Sequence, residues 1–278
     1  MAHKLTIIAV IGLSASAACM GAAAAIGGPN FDDGFGGLFD DRPRCEAIPN
    51  AAQTVRDLDW NGGDHVTLSI PVQASYSPAN GAKLRATGDP QVLAHLRVRD
   101  GEIELDCRGW RSRAKGTAVT LPGREFRKFS IAGSGGFTLD GLDQPSAKIE
   151  IAGSGDVKAN GKVDDLKLEI AGSGDADLTQ ITARQGRFEI AGSGRIKAKG
   201  VIDDVKISIA GSGHADLGEV TSRNARVEIG GHGDVHIAPS EEAKIEIGGS
   251  GDVYLHSNPK QLDTEIGGSG RIHRLGAS

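Results

Sequence analysis

The sequence predicts an all-β protein, namely a right-handed, single-stranded parallel β-helix (a solenoid) with rungs of about 19–20 residues. The first observation behind this prediction is a pentapeptide, Ile-Ala/Gly-Gly-Ser/His-Gly, that recurs at a nearly constant spacing. Its eight copies begin at residues 131, 151, 170, 190, 209, 229, 247 and 266. A fixed period of this length indicates a solenoid, in which each repeat stacks on its neighbours.

The second observation is an alternation of apolar and polar residues within each repeat, as in Lys148-Ile149-Glu150-Ile151. This period of two is typical of β-strands that bury one face. The third observation is that equivalent positions form columns. After each Gly-Ser-Gly turn, a large and a small inward residue exchange places from one rung to the next, as in Val157/Ala159 and Ala176/Leu178. Such complementary columns predict a densely packed core inside the coil.

The chain divides into three expected parts. Residues 1–24 have a short basic region, an apolar run and small residues suited to cleavage, which together predict a signal peptide and export. Residues 25–51 are rich in Gly and Asp and predict a flexible leader. We expect residues 52–278 to form one β-helix, with irregular opening rungs over 52–130 and regular rungs over 131–275.

Export leaves several locations open, because the periplasm, the outer-membrane surface and the extracellular space are all reached through a signal peptide. Cys19 lies in a sequence that resembles a lipidation site, so an anchored state is an alternative. No transmembrane segment is expected in the mature chain.

Two cysteines remain after cleavage, Cys45 and Cys107. In an oxidising compartment they are candidates for a disulfide, and two buried free thiols are the alternative. Neither has the spacing of a metal or redox motif. We expect no metal, no cofactor and no catalytic residues.

Outward positions form a basic column beside an acidic column. The basic column contains Lys148, Lys167, Arg187, Lys206, Arg226 and Lys244, and the acidic column contains Glu150, Glu169, Glu189, Glu228 and Glu246, with Ser208 in line. One interpretation is a solvated face that opposes aggregation. The other is a periodic charge template for an extended envelope polymer or a partner protein.

Near the end of the chain, another outward column changes from charged residues to His236, Tyr254 and His273, with His256 on the same face. Imidazole groups change charge near neutral pH. The four residues are therefore a candidate patch for pH-sensitive contact with a partner or glycan, and exposed polar residues without a role are the alternative. His236 and His273, two rungs apart, are too distant to share a metal ion.

The Gly-Ser-Gly turns and the segment VTLPGREFRKFSIAGSG resemble the putative auto-transporter adhesin, head GIN domain family of exported bacterial proteins. The resemblance implies a β-helix in the cell envelope and brings no catalytic residues. The net charge of -5 and the scarcity of aromatic residues exclude a nucleic-acid binder.

The function predicted from these patterns is a non-catalytic scaffold or adhesin-like surface that binds an envelope polymer, a glycan or a protein. A β-helical polysaccharide-processing enzyme and a self-assembling structural envelope protein are the alternatives, and oligomerisation is open.

Overall fold

The computed structural model describes residues 42–275. The expected signal peptide, Cys19 and the leader as far as residue 41 lie outside the described residues. The opening region contains helix α1 (Pro90–His95), a 3-10 helix (Arg111–Gly116) and strands β1 (Val55–Leu58), β2 (His65–Leu68), β3 (Gln73–Tyr76), β4 (Leu84–Thr87), β5 (Leu96–Arg99), β6 (Glu102–Leu105) and β7 (Ala118–Thr120).

The repeat region is built almost entirely of strands. They are β8 (Lys128–Gly133), β9 (Gly136–Gly153), β10 (Asp156–Gly172), β11 (Asp175–Gly192), β12 (Arg195–Gly211), β13 (His214–Ile229), β14 (Val235–Ile237), β15 (Pro239–Ile247), β16 (Val253–Leu255), β17 (Gln261–Ile266) and β18 (Ile272–Arg274). Each of the strands β9 to β13 follows almost a full rung, so the sequence repeat and the structural repeat coincide.

Successive rungs pair in parallel, and the predicted β-solenoid is confirmed, with about seven turns. Ile170 pairs with Ile151 on one side and with Ile190 on the other, as the columns predict. Beyond β13 the coil continues as two parallel ladders, one through β14, β16 and β18 and the other through β15 and β17.

The core is a set of aliphatic columns inside the coil. From Ile131 to Ile247, the isoleucine of each pentapeptide is at most 2% exposed. In the neighbouring column, the bulky Phe188 is buried next to Gly186, where an added Cβ would lie 2.9 Å from the Phe188 ring. The absence of a side chain at Gly186 thus leaves room for the ring of Phe188.

One member of the isoleucine column does not fit the prediction. Ile266 was expected to point into the core but is 44% exposed. It lies in β17, which within residues 42–275 pairs only with β15 and has no rung on its other side. An inward residue of a last rung lacks the next layer that would bury it.

The pentapeptide turn requires glycine for a specific reason. Gly192 has a φ of 132°, which residues with a side chain rarely adopt. A Cβ there would lie 2.3 Å from the carbonyl oxygen of Gly172 on the rung below. Both the backbone conformation and the close rung stacking therefore exclude larger residues.

The opening region departs from the expected parallel rungs. Strands β2 and β3 do pair in parallel with β8 and β9. However, β4 is antiparallel to both β1 and β7, and β5 is antiparallel to β6. The β5–β6 hairpin turns at Asp100 and Gly101, which both have positive φ, the combination that a tight two-residue hairpin turn requires. The opening region is thus a cap with mixed pairing, not a continuation of the coil.

Aromatic residues and a disulfide consolidate this cap. The rings of Trp60, Tyr76 and Phe129 all pack against that of Phe126, at centroid distances of 5.1 to 6.0 Å. Cys45 and Cys107 are joined by a disulfide, with Cα atoms 4.8 Å apart. Residues 42–51, which we assigned to a flexible leader, are therefore attached to the cap through Cys45.

The inward columns predict a large difference between buried and exposed substitutions on one rung. Ile190→Asp should lower the free energy of unfolding by more than about 3 kcal/mol, because it buries an unpaired charge. Thr182→Asp places the same side chain at an exposed position of the same strand. It should change the free energy of unfolding by less than about 0.5 kcal/mol. Denaturant unfolding of both variants measures the difference, and equal stabilities would contradict the assignment of the core face.

Candidate functional site

The basic and acidic columns form one ladder of ion pairs along the outside of the coil, which we call the ion-pair ladder. In its regular part, each basic side chain pairs with the glutamate of its own rung and with that of the next. Lys148 pairs with Glu150 and Glu169, and Lys167 pairs with Glu169 and Glu189. Each bridging cation thereby separates two like charges that would otherwise repel across the rungs.

The acidic column is not the exposed stripe that the sequence predicts. The side chain of Glu150 is only 3% exposed, since Lys128 and Lys148 both bond to its carboxylate and Ser130 donates a hydrogen bond to it. Glu169 and Glu228 are also buried, whereas the lysine and arginine side chains remain partly exposed. The charge that this face presents to solvent is therefore mainly positive.

These contacts act on the ionisation of the glutamates. Burial alone would raise the pKa of Glu150, but hydrogen bonds and charge attraction from Lys148 and Lys128 outweigh burial and lower that pKa. The pKa of Glu228 is also lowered, because Arg226 and Lys206 outweigh its burial in the same way. Both glutamates are therefore held as carboxylates at neutral pH.

The ladder has a gap where Ser208 replaces a glutamate. The hydroxyl of Ser208 donates to Glu228, and among the described residues Lys206 pairs with Glu228 alone. The pattern would give Arg187 two partners, Glu189 on its own rung and residue 208 on the next, but Glu189 pairs with Lys167 and residue 208 is a serine. Arg187 makes no ion pair with any residue from 42 to 275. It is the one cation of its column in that state, and it is exposed.

An open groove runs beside the ladder across five rungs and has a volume of about 730 Å³. Its cationic lining consists of Arg127, Lys148, Lys167, Arg184, Arg187 and Lys206, and its carboxylates are Asp165 and Asp204. Asp204 accepts a hydrogen bond from Asn224, at 2.7 Å. We call this groove, which Arg187 lines on its fourth rung, the cationic groove.

The candidate patch near the end of the chain also comes together. The ring of Tyr254 is stacked between those of His236 and His273, at centroid distances of 4.5 and 4.7 Å. His273 bonds to Asp252, and this hydrogen bond lowers the pKa of the Asp252 carboxyl. His256 contacts His236 directly, with Nδ1 of His236 and Nε2 of His256 2.9 Å apart. Its pH-sensitive role stays a prediction.

The position of His256 was not predicted from the sequence. We expected His256 to shorten the distance between His236 and His273 only if the last rung bends. Instead, its ring lies back along the coil over Gly218, where an added Cβ would be 3.0 Å from Nε2. A missing side chain, not a bend, brings the two histidines together.

One further cluster has the composition of a metal site, namely His95, Asp106 and Cys107. The Cys107 sulfur is committed to its disulfide, and His95 Nδ1 bonds to Asp106 at 2.7 Å. The other ring nitrogen of His95 contacts the carbonyl of Glu46. This cluster therefore serves to attach residues 42–51 to the cap.

The fold and these surfaces define a class of protein: a parallel β-solenoid with a cap at its N-terminal end and an outer face of stacked charges. More particularly, the chain belongs to the putative auto-transporter adhesin, head GIN domain family, whose sequence profile matches residues 64–179 and 157–259. This confirms the resemblance seen in the pentapeptides. No curated protein sequence matches the chain.

Solved structures share the fold. A putative lipid binding protein from Parabacteroides distasonis is 24% identical, with a TM-score of 0.67 over 79% of this chain and 95% of that one. A putative adhesin from Parabacteroides distasonis is 16% identical, with a TM-score of 0.70 over 84% and 100% of the two chains. A putative adhesin from Parabacteroides merdae is 16% identical, with a TM-score of 0.69 over 79% and 95%. At these identities the likeness is one of fold.

The buried glutamates predict a stability that depends on acid pH. A carboxylate whose pKa is lowered by folding contributes stability above its unfolded pKa and loses it as pH falls through the folded value. Glu150→Gln should therefore cost about 1.5–3 kcal/mol at pH 7. The difference from the unmodified protein should shrink below about pH 4.

Chemical unfolding between pH 3 and pH 7 tests this prediction. Glu219→Gln is the control, because Glu219 is exposed and within the described part of the chain pairs only with Lys199, so its loss should cost less than about 1 kcal/mol. A cost for Glu150→Gln that stays constant over this pH range would contradict the proposed ionisation.

Proposed function

We propose that this protein is an exported, non-catalytic binding scaffold whose cationic groove holds an extended polyanionic glycan of the cell envelope. The single observation that carries the proposal is the gap in the ion-pair ladder. The other cations of the groove all have a carboxylate partner: the lysines pair with glutamates of the ladder, Arg127 pairs with Asp64 and Glu125, and Arg184 pairs with Asp164. Arg187, by contrast, is exposed at the groove and has no ion pair in the described part of the chain. An anionic ligand would supply the partner that Ser208 does not.

The shape of the groove supports an extended ligand over a compact one. Rungs are about 4.8 Å apart, so a groove across five rungs presents cations over about 19 Å. Such a row matches a linear polymer with repeating negative groups, and the multiple weak contacts add to one another. The adhesin description of the family supports binding to a surface and an exported location.

The proposal includes membrane attachment only through lipidation at Cys19. No helix formed by residues 42–275 is both long and apolar enough to span a bilayer. Lipidation at Cys19 and the choice among periplasm, outer-membrane surface and extracellular space belong to the proposal and are tested by cell fractionation.

Binding of polygalacturonate, a linear polymer of carboxylated sugars, tests the site. Arg187→Gln should weaken binding about fivefold, as expected for one charge contact worth about 1 kcal/mol. Lys158→Gln is the matched control and should change binding little. Lys158 is an exposed cation that lies outside the ion-pair ladder, in register with Thr138 on the preceding rung. Neutral dextran should not bind.

A second pair of variants tests the gap itself. Ser208→Glu would complete the ladder, give Arg187 a partner, and weaken polygalacturonate binding to the level of Arg187→Gln. Ser208→Gln adds the same bulk without charge and should retain binding. Unchanged affinity in both Arg187→Gln and Ser208→Glu would reject the groove as the binding site.

The same assay tests the absence of catalysis. Polygalacturonate recovered after incubation should keep its chain length, measured by size-exclusion chromatography. Shortened polymer would instead favour the polysaccharide-processing alternative, with Asp165 and Asp204 as its first candidates.

A further inference from the structure

A second surface of the coil, on later rungs than the groove, brings two histidine side chains together in the way that a metal site requires. His236 and His256 direct ring nitrogens at each other, with Nδ1 and Nε2 2.9 Å apart. In the metal-free pair, one nitrogen donates its N–H to the other. To bind one cation together, the donor ring carries its proton on its second nitrogen instead, and the rings turn so that both lone pairs face the ion. The pair is partly open to solvent, so an ion can reach it.

The surroundings hold both rings in place. His236 is stacked on Tyr254, with an angle of 14° between the ring planes, and Tyr254 is stacked in turn on His273. A ring clamped in this way presents Nδ1 in a fixed direction. Metal sites in proteins depend on this kind of support for their ligands.

His256 owes its position to a local break in the repeat. The register shifts at this point, because Lys197 pairs with Asp216 and Lys199 with Glu219, which leaves one extra residue beside Gly218. The His256 imidazole lies over Gly218, where no side chain stands. A larger residue at position 218 would meet the His256 ring.

Charge in the neighbourhood favours a cation. Asp216 pairs in register with His236 on the adjacent rung, and its carboxylate accepts a hydrogen bond from the backbone of Gly218. Its negative charge therefore lies beside the imidazole pair and would offset part of the charge of a bound ion.

The nitrogen separation selects among metals. Two nitrogens 2.9 Å apart, each about 2.0–2.1 Å from one ion, subtend an angle of about 90° at that ion. This is the angle between neighbouring ligands in square-planar or octahedral coordination, and it is smaller than the angle in a tetrahedral zinc site. Square-planar geometry with nitrogen and oxygen ligands is typical of Cu²⁺ and Ni²⁺, and Cu²⁺ binds such ligands most tightly.

We propose that His236 and His256 form a surface binding site for a single divalent transition-metal ion, preferentially Cu²⁺, with water completing the coordination. The site uses Nδ1 of His236 and Nε2 of His256. It does not include His273, which bonds to Asp252 on the far side of Tyr254. The proposal is independent of the cationic groove and of its ligand.

Electron paramagnetic resonance of the protein with one equivalent of Cu²⁺ tests the proposal. The spectrum should show an axial signal with hyperfine coupling from two imidazole nitrogens. His236→Ala and His256→Ala should each weaken Cu²⁺ binding at least tenfold by calorimetry, and the double variant gives the background from other groups. His232→Ala is the matched control, because His232 is an exposed histidine of a pentapeptide turn outside the ring stack, and it should keep the affinity and the spectrum.

A variant that leaves both ligands in place separates geometry from composition. Gly218→Ala would place a Cβ 3.0 Å from the His256 ring and should weaken Cu²⁺ binding while leaving the thermal unfolding midpoint of the metal-free protein nearly unchanged. Equal Cu²⁺ affinity in His256→Ala and the unmodified protein would overturn the proposal. An equal loss in His273→Ala and His256→Ala would also overturn it, because the ion would then lie at the other end of the ring stack.

Discussion

The parallel backbone hydrogen bonds between successive rungs are the constraint on which the rest of the structure depends. They hold each residue about 4.8 Å from its equivalents above and below, so that every choice of side chain is repeated as a column. Inside the coil this repetition is favourable, because aliphatic side chains stack without polar atoms. It also requires the turns to be thin, which is why Gly192 and its equivalents approach the carbonyl oxygens of the rung below so closely.

Outside the coil the same constraint creates a difficulty, because a column of like charges repels itself. In the structure, the glutamates lie beneath the basic side chains, and lysine and arginine side chains from two rungs pair with them. The carboxylates are buried and the cations partly exposed, so a sequence with a net charge of -5 still presents a positive strip on this face. Net charge therefore says little about the face that a partner would meet.

The regular coil could be predicted from the sequence because eight pentapeptides fix both the period and the inward columns. The cap could not be predicted in the same way, since its strands lack a repeat that would indicate their partners. Local signals were nevertheless present. Asp100-Gly101 is a hairpin signal, and Asp89-Pro90 is a helix start, in which the Asp89 side chain accepts from Gln91. These signals predict local turns but not the pairing of β4 with both β1 and β7.

The candidate sites show a similar division. The period of two indicates which residues point away from the core, and the basic and imidazole columns do lie on the outside of the coil. It could not predict the burial of Glu150, which depends on two lysine side chains folding over it. Nor could it predict the contact between His236 and His256, because the decisive residue is Gly218, two rungs from His256.

Interruptions of a column, not the column itself, are where this fold can carry function. A complete column satisfies itself: each cation has its glutamates and each outward side chain has its neighbours. A smaller residue leaves a group without an expected partner, as Ser208 does for Arg187, and a glycine at a register shift leaves space that another side chain occupies, as Gly218 does for His256. Since the backbone is fixed by the rung hydrogen bonds, such a substitution changes the surface without disturbing the coil. A solenoid can therefore acquire distinct binding sites by single changes in otherwise repetitive columns, and the two sites proposed for this chain both lie at such interruptions.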